Sequence, residues 1–315
     1  MRGALLYHVY SGQLFFSAAI LVLAAVVSDL FGWLDTRPLT RRIAAFLTVL
    51  AVALAALSGT PVRMVLAILT IVATLGYALF GFGARWGLRY SLGGLASALV
   101  VIAVASEIPY HLRRSTEPTP SRVFVIGDSL SSGGFGERTP WPEILARHLR
   151  VPVTNLALPS DNAAMALQNQ IPQLPVPGSR NECALIEIGG NDILEGVPPD
   201  AFAAALNAIL SRAGAEGRRR VVLLELPLLP GRWEYGAIQR RLAAKHNALL
   251  VPKRILARVL LGEGNTSDGI HLQQQGHDAL ALELARWLYT TAGSSSGSTS
   301  NSRAFSRRCV RATST

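Results

Sequence analysis

Four long apolar segments fill the N-terminal third of this 315-residue chain and constrain its fold more than any other feature. A helix that crosses a bilayer needs about 20 apolar residues, because inside lipid each backbone polar group must be paired within the protein. The sequence therefore predicts a membrane region of about four transmembrane helices at residues 1–112. The segments run over residues 5–31, 43–57, 62–82 and 88–108.

Composition supports membrane helices over two alternatives, a signal segment and a buried helical bundle. Half of the residues are hydrophobic, 16% are charged, and the mean hydropathy is +0.32. The second apolar segment is short, and the first could instead be a signal segment. A buried helical bundle in a soluble protein is the other alternative, but such helices carry a polar stripe that these segments lack. We therefore expect a multi-pass membrane protein.

The arginines between the segments indicate an orientation. Basic residues are enriched on the cytoplasmic side of membrane proteins. The side that holds the first and third loops between the segments has slightly more of them, so the region after the fourth segment is expected outside the cytoplasm. The first side holds Arg37, Arg41, Arg42, Arg85 and Arg89, and the other holds Arg2, Arg63, Arg113 and Arg114.

The formal net charge of +10 does not indicate a nucleic-acid partner. The basic residues are scattered and are not interleaved with aromatic residues, as they are in nucleic-acid-binding patches. Residues 113–121 form a short polar linker with prolines, and residues 291–315 are a Ser-rich basic tail that is expected to be disordered. A second domain is therefore expected at residues 122–290.

Five short apolar runs in this second domain alternate with helical patterns. Alternating strands and helices predict an α/β fold, a parallel sheet with helices on both faces. About 170 residues is an ordinary size for one such domain. The predicted strands are residues 122–126, 151–156, 183–188, 220–226 and 248–251.

Three short strings each follow an apolar run or precede a helical one, and together they contain the groups that serine-based acyl transfer needs. The hydroxyl of Ser129 needs a base to take its proton, and that base needs its second ring nitrogen held. His271 with Asp268 fits this requirement, and Asn191 offers a side-chain N–H donor. The strings are Gly127-Asp128-Ser129-Leu130, Gly189-Gly190-Asn191-Asp192 and Asp268-Gly269-Ile270-His271.

Each string has a simpler interpretation when taken alone. Gly-Asp-Ser is common in ordinary turns. Asp128 and Asp192 fit loop-bracing acceptors better than catalytic groups, and Asp161 fits a helix cap or a loop residue. It is the order of the three strings that favours a catalytic site. No pair of cysteines or histidines has metal-ligand spacing, so no metal or cofactor is expected.

With these motifs, residues 122–289 resemble the SGNH (GDSL-type) hydrolases, in particular the thioesterase, lysophospholipase and arylesterase branch. The resemblance implies a flavodoxin-like fold, Ser129 as nucleophile, His271 as general base and Asp268 as its partner. It implies an oxyanion hole made by the backbone N–H of Ser129, a second backbone N–H at Ser160, and Asn191. Ser160 stands where the family has glycine, and Leu272 stands where it commonly has proline.

The expected activity is hydrolysis of a carboxylic ester or thioester through an acyl-enzyme, on a small acyl ester, a lipid or an acylated glycan. Two alternatives stay open, an O-acyltransferase or deacetylase acting on cell-envelope polysaccharide, and a membrane-tethered binding module without activity. An apolar loop after the fourth strand holds Leu228 and Leu229, which are predicted to contact substrate. It could equally be loop packing. The sequence does not indicate an oligomeric state.

Overall fold

The computed structural model describes residues 2–33, 38–82, 84–112, 118–134, 136–179, 181–228 and 230–288. The predicted tail lies outside these ranges, and so do residues 113–117 of the predicted linker.

The N-terminal region is entirely helical. Four of its helices are long and apolar enough to cross a membrane, judged by length and composition. A π-helical turn, Tyr77–Gly81, continues the fourth helix. The helices are α1 (Arg2–Tyr10), α2 (Gln13–Leu30), α3 (Pro38–Leu57), α4 (Met64–Gly76) and α5 (Trp86–Leu112).

Two helix boundaries differ from the sequence prediction. The first apolar segment is not one helix, because the chain turns at Gly12, which has a left-handed backbone with φ 84°. A β-carbon at Gly12 would lie 3.0 Å from Cε of Lys253, so glycine permits both the turn and this close approach. The second helix is longer than the predicted apolar segment, because α3 already begins at Pro38. Proline is favoured at the first position of a helix.

A buried polar cluster holds the helices together at the end remote from Gly12. Oδ2 of Asp29 accepts a hydrogen bond from the Tyr77 hydroxyl at 2.5 Å and one from Nε of Arg89 at 2.9 Å. Asp29 is fully buried, so its charge requires these partners. The cluster ties α2, α4 and α5 to one another, and the sequence prediction did not include it.

The second domain is built on a five-stranded parallel sheet of order β2-β1-β3-β4-β5. The α/β prediction is confirmed, and every strand overlaps its predicted run. Its central strand, β3, is buried along its whole length. The strands are β1 (Arg122–Gly127), β2 (Val153–Asn155), β3 (Glu182–Glu187), β4 (Arg220–Leu224) and β5 (Leu249–Val251).

Helices pack on the sheet in two groups. The chain moves from β1 to β2 in one direction and from β2 through β5 in the other, and right-handed crossovers then place the connecting helices on opposite faces. One group contains α7 and α13, and the other contains α8, α10 and α11. The helices are α6 (Ser129–Ser132), α7 (Trp141–Leu149), α8 (Ala163–Asn169), α9 (Gly190–Glu195), α10 (Pro199–Gly214), α11 (Trp233–Lys245), α12 (Lys253–Leu260) and α13 (Gln274–Leu288).

This topology reverses direction between β1 and β3. In open α/β sheets the crevice beyond the carboxyl ends of the strands at such a reversal is where ligands bind. The loops that follow β1 and β3 contain Ser129 and Asn191. The fold therefore places these two candidate residues on neighbouring strand ends.

The apolar helices contact the same carboxyl edge of the sheet, beyond β4 and β5. Nζ of Lys253, the residue two past the end of β5, donates to the carbonyl of Gly59 in the α3–α4 loop at 3.1 Å. A β-carbon at Gly59 would lie 3.1 Å from the carbonyl oxygen of Leu228. The edge that holds the candidate site is thus the edge on which the helical region is docked.

A buried ion network fixes this docking. Nη1 of Arg240 on α11 donates to both carboxylate oxygens of Glu107 on α5, at 2.9 and 2.8 Å. Its Nε donates to Oε1 of Glu225 at 2.6 Å, and its guanidinium lies 3.9 Å from the centre of the Tyr110 ring. All three charged side chains are buried. The network joins the last apolar helix to the residue that follows β4.

Candidate active site

The loop after β1 presents Ser129 at the first turn of α6. Oδ1 of Asp128 accepts the backbone N–H of Leu130 at 3.0 Å and so caps this short helix. A β-carbon at Gly127 would lie 2.6 Å from Oγ of Ser131 and 2.9 Å from the Glu187 carbonyl, so the turn needs glycine. Ser129 itself is half-buried, which leaves its hydroxyl accessible.

Asp268 and His271 form a closely bonded pair in the loop before α13. Oδ2 of Asp268 lies 2.6 Å from Nδ1 of His271, and Oδ1 accepts the backbone N–H groups of Ile270 and His271 at 2.9 and 2.8 Å. Gly269 permits this tight loop with a φ of 89°. The bond from the His271 ring, followed by the two backbone bonds, holds the pKa of Asp268 well below its usual range. Nδ1 therefore carries the ring proton, and Nε2 is left to accept one.

His271 acts electrostatically on the loop that holds Ser129. Burial raises the pKa of Asp128 to about 6, and the charge of His271 is among the influences that lower it. The role of His271 as the base for Ser129 stays a prediction.

Asn191 and Ser160 meet at the other side of the site. Nδ2 of Asn191 donates to the backbone carbonyl of Asp161 at 2.9 Å, and its second N–H remains for another acceptor. Ser160 is exposed and has a φ of 64°, the left-handed conformation that glycine adopts more easily. The serine thus takes the backbone geometry expected where the resembling family has glycine.

Gln170 links the two sides, and the sequence prediction missed it. Its Nε2 donates to Oδ2 of Asp161 and to the carbonyl of Gly127, both at 2.8 Å. Its Oε1 accepts the backbone N–H of Gly127 at 3.0 Å. Fully buried, this amide holds the Ser129 loop and the Ser160 loop at a fixed separation. Nothing in the sequence around Gln170 distinguishes it from a surface residue of α8.

A second buried acid lies beneath the Ser129 loop. Oε2 of Glu187, at the end of β3, accepts a hydrogen bond from the hydroxyl of Ser131 at 2.7 Å. Burial, followed by the neighbouring charge of Asp128, raises the pKa of Glu187 well above its usual range. A buried carboxyl group beside another carboxylate favours its neutral form, so Glu187 favours the protonated form beneath Asp128.

Asp192 and Leu228 make contacts that stabilise the fold. Oδ2 of Asp192 accepts the backbone N–H of Ala163 at 2.8 Å, which is a loop-bracing role. Leu228 is 1% exposed and packs against Gly59 and Gly236, while Leu229 lies outside the described residues. The role of both leucines toward substrate stays a prediction. In the part of the chain that the structure describes, no group of three metal-binding side chains occurs.

Comparison with known proteins identifies relatives of the second domain. The profile of the GDSL-like Lipase/Acylhydrolase family matches residues 125–279. An arylesterase of Vibrio mimicus is 25% identical over 202 residues, which cover 60% of this chain and 98% of the relative. Thioesterase 1/protease 1/lysophospholipase L1 of Escherichia coli (strain K12) is 27% identical over 173 residues, which cover 53% of this chain and 82% of the relative.

A solved structure is also similar to this part of the chain. The crystal structure of TesA is 27% identical and superimposes with a TM-score of 0.47, covering 53% of this chain and 97% of that one. The family match leaves residues 1–124, and with them all the apolar helices, outside it.

Proposed function

We propose that this chain, whose residues 125–279 match the profile of the GDSL-like Lipase/Acylhydrolase family, is a membrane-anchored serine hydrolase of the esterase type. It cleaves carboxylic esters or thioesters through an acyl-enzyme on Ser129. The observation that carries the proposal is the 2.6 Å bond between Asp268 and Nδ1 of His271, which fixes the ring tautomer in which Nε2 is the basic nitrogen.

The mechanism follows from this proton arrangement. Nε2 of His271 takes the hydroxyl proton of Ser129 while Oγ forms a bond to the acyl carbon. When the tetrahedral intermediate collapses, the bond to the leaving group breaks and His271 returns the proton to the departing alkoxide or thiolate. Water then attacks the acyl-enzyme by the same route, releases the carboxylic acid and restores Ser129.

Three N–H donors stabilise the oxyanion in the proposed mechanism. They are the backbone N–H of Ser129, the backbone N–H of Ser160 and the second side-chain N–H of Asn191. One such donor contributes about 3 to 4 kcal/mol to lowering the barrier. The bond from Asn191 to Asp161 supports this role, because it fixes the amide beside Ser160 before substrate arrives.

Two relatives guide the choice of substrate bond. One is named an arylesterase and the other a thioesterase and lysophospholipase, so both oxygen and sulfur leaving groups occur among them. We propose an acyl ester or thioester as substrate for this chain, with a lipid or an acylated glycan as the larger forms it could take.

The four apolar helices support a multi-pass anchor, with the hydrolase domain outside the cytoplasm. Gly12, Gly59 and Glu107 lie at the hydrolase end of the helices, whereas Arg41 and Arg89 lie at the other end, which would face the cytoplasm. The variant Thr119→Cys checks this orientation, because a membrane-impermeant maleimide added to intact cells labels this cysteine only if it lies outside the cytoplasm. Labelling only after the cells are lysed would reverse it.

The catalytic assignment is tested with Ser129→Ala and a matched control, Ser132→Ala, which removes a hydroxyl from the same short helix. We expect Ser129→Ala to lose p-nitrophenyl acetate hydrolysis and labelling by a fluorophosphonate probe, and Ser132→Ala to retain both. Full turnover by the Ser129→Ala variant would show that another residue is the nucleophile.

A further inference from the structure

Exposed apolar side chains cluster around the candidate active site. Among the described residues after 117, five large apolar side chains are exposed, and four of them flank site residues. We call these four the apolar collar: Leu158, Met165, Leu194 and Ile270, which are 37%, 41%, 59% and 41% exposed.

The collar residues lie on several segments that also contain candidate site residues or are hydrogen-bonded to such a segment. Leu158 lies two residues before Ser160, Leu194 is on α9 after Asn191, and Ile270 immediately precedes His271. Met165 is in the first turn of α8, whose capping residue, Asn162, donates to Oε2 of Glu195 at 2.9 Å and so joins α8 to the end of α9. A contiguous apolar rim around a site marks a surface that meets an apolar partner.

The collar lies on the edge of the sheet that faces the apolar helices. The packing runs from the site to the helices in short steps. A β-carbon at Gly189 would lie 3.1 Å from Cδ1 of Leu226, and Leu228, two residues further, contacts Gly59 between α3 and α4. Two extended residues span about 7 Å. Since strands are spaced about 4.8 Å apart, the end of β1 lies about 10 Å from the end of β4, where these contacts are made.

The docking is fixed by charges, so the collar cannot turn away freely. Arg240 binds Glu107 of α5, and Lys253 binds the carbonyl of Gly59. Both contacts are buried, and each would leave a charged group without its partner if the hydrolase domain rotated. The collar therefore keeps one orientation relative to the ends of the apolar helices.

We propose that the apolar collar is a lipid-contacting surface that rests on the bilayer crossed by α2 to α5. The proposal depends on the membrane anchoring proposed above. Substrate then enters from the bilayer, where its acyl chain is already held, and meets Ser129 without first crossing water. The partner of this surface is the acyl and glycerol region of the lipid layer, which matches the uncharged character of the four collar side chains.

Val176 offers a matched control. It is the most exposed of the five apolar side chains, at 79%, and it lies near the start of β3, at the opposite edge of the sheet. It resembles the collar residues in chemistry and exposure but faces away from the membrane helices.

Fluorescence quenching tests the surface directly. A nitrobenzoxadiazole label is attached at Leu194→Cys or at Val176→Cys in the full chain carrying Cys309→Ser, and Cys183 is fully buried. The proteins are reconstituted in phosphatidylcholine vesicles that contain a doxyl-labelled lipid. We expect quenching at position 194 and little at position 176. Equal quenching, or none at position 194, would overturn the proposal.

Kinetics separates this proposal from the catalytic one. Met165→Ser with Leu194→Ser is expected to keep p-nitrophenyl acetate hydrolysis but to lose about tenfold on p-nitrophenyl palmitate in vesicles. Val176→Ser is expected to keep both activities. Unchanged vesicle activity in the double variant would refute the collar proposal alone, whereas acetate hydrolysis by Ser129→Ala would refute the catalytic one.

Discussion

Nδ1 of His271 lies 2.6 Å from Oδ2 of Asp268, and the other oxygen of that carboxylate holds two backbone N–H groups of the same loop. Asp268 therefore fixes both the loop and the tautomer of the ring. The site does not depend on burial of this carboxylate, since the Asp268 side chain is half exposed.

Asp268→Asn is expected to lower kcat for p-nitrophenyl acetate by about 10² to 10⁴, because an amide N–H facing Nδ1 favours the wrong tautomer. Asp278→Asn, on the exposed face of α13, is the matched control and should leave kcat unchanged. Hydrogen bonding lowers the pKa of Asp268 in the fold. The stability contributed by the ionised carboxylate is therefore complete above the ordinary pKa of aspartate and is lost as pH falls through the lowered one. Wild-type kcat in Asp268→Asn would remove Asp268 from the mechanism.

Ser160→Gly is expected to raise the free energy of unfolding by up to about 1 kcal/mol, because it releases the left-handed strain at φ 64°. It should keep esterase activity, since the donor at this position is the backbone N–H. Ser160→Ala removes the hydroxyl and keeps the strain, so it should match the wild-type stability. Thermal unfolding and kcat of the two variants check this, and a loss of activity in both would give the hydroxyl itself a role.

Glu187→Gln is expected to retain activity, because glutamine copies the shape and the hydrogen bonds of the protonated acid. Glu187→Leu leaves the hydroxyl of Ser131 without its buried acceptor, at a cost of about 1 to 3 kcal/mol. The pKa of Glu187 is raised in the fold, so the stability from its protonated form is complete below the ordinary value and is lost as pH rises through the raised one.

Thermal midpoints measured from about pH 5 to about pH 9 should therefore fall less in Glu187→Gln than in the wild type. The pH dependence of the thermal midpoint that remains in Glu187→Gln comes from Asp128, whose pKa is also raised, to about 6. Identical slopes in the two proteins would mean that Glu187 is ionised in the fold.

Arg240→Ala is expected to destabilise the docking of the two regions by about 3 to 5 kcal/mol, because it removes the cation that is hydrogen-bonded to both buried carboxylates, Glu107 and Glu225. The neighbouring Arg241 is exposed on the same helix, so Arg241→Ala is the matched control. Thermal unfolding and limited proteolysis in detergent measure the effect. Equal stability of the two variants would show that the network contributes little.

The strands and the contact between Asp268 and His271 could be predicted because their signals are local. The run before Gly127 is apolar and β-branched, and the strand ends within one residue of its predicted limit. The turn at Gly12 could not be predicted, because it is required by a contact with Lys253, which is remote in sequence. The roles of Gln170 and Arg240 could not be predicted for the same reason, since their partners lie on other elements of the fold.

The side chain of Leu228 is covered by Gly59, and the guanidinium of Arg240 by Glu107 and Tyr110, so part of the hydrolase surface is completed by the apolar helices. Cutting the chain after α5 would uncover an apolar patch beside a half-paired cation. The excised domain would then be prone to self-association. The apolar helices thus belong to the same folding unit as the parallel sheet.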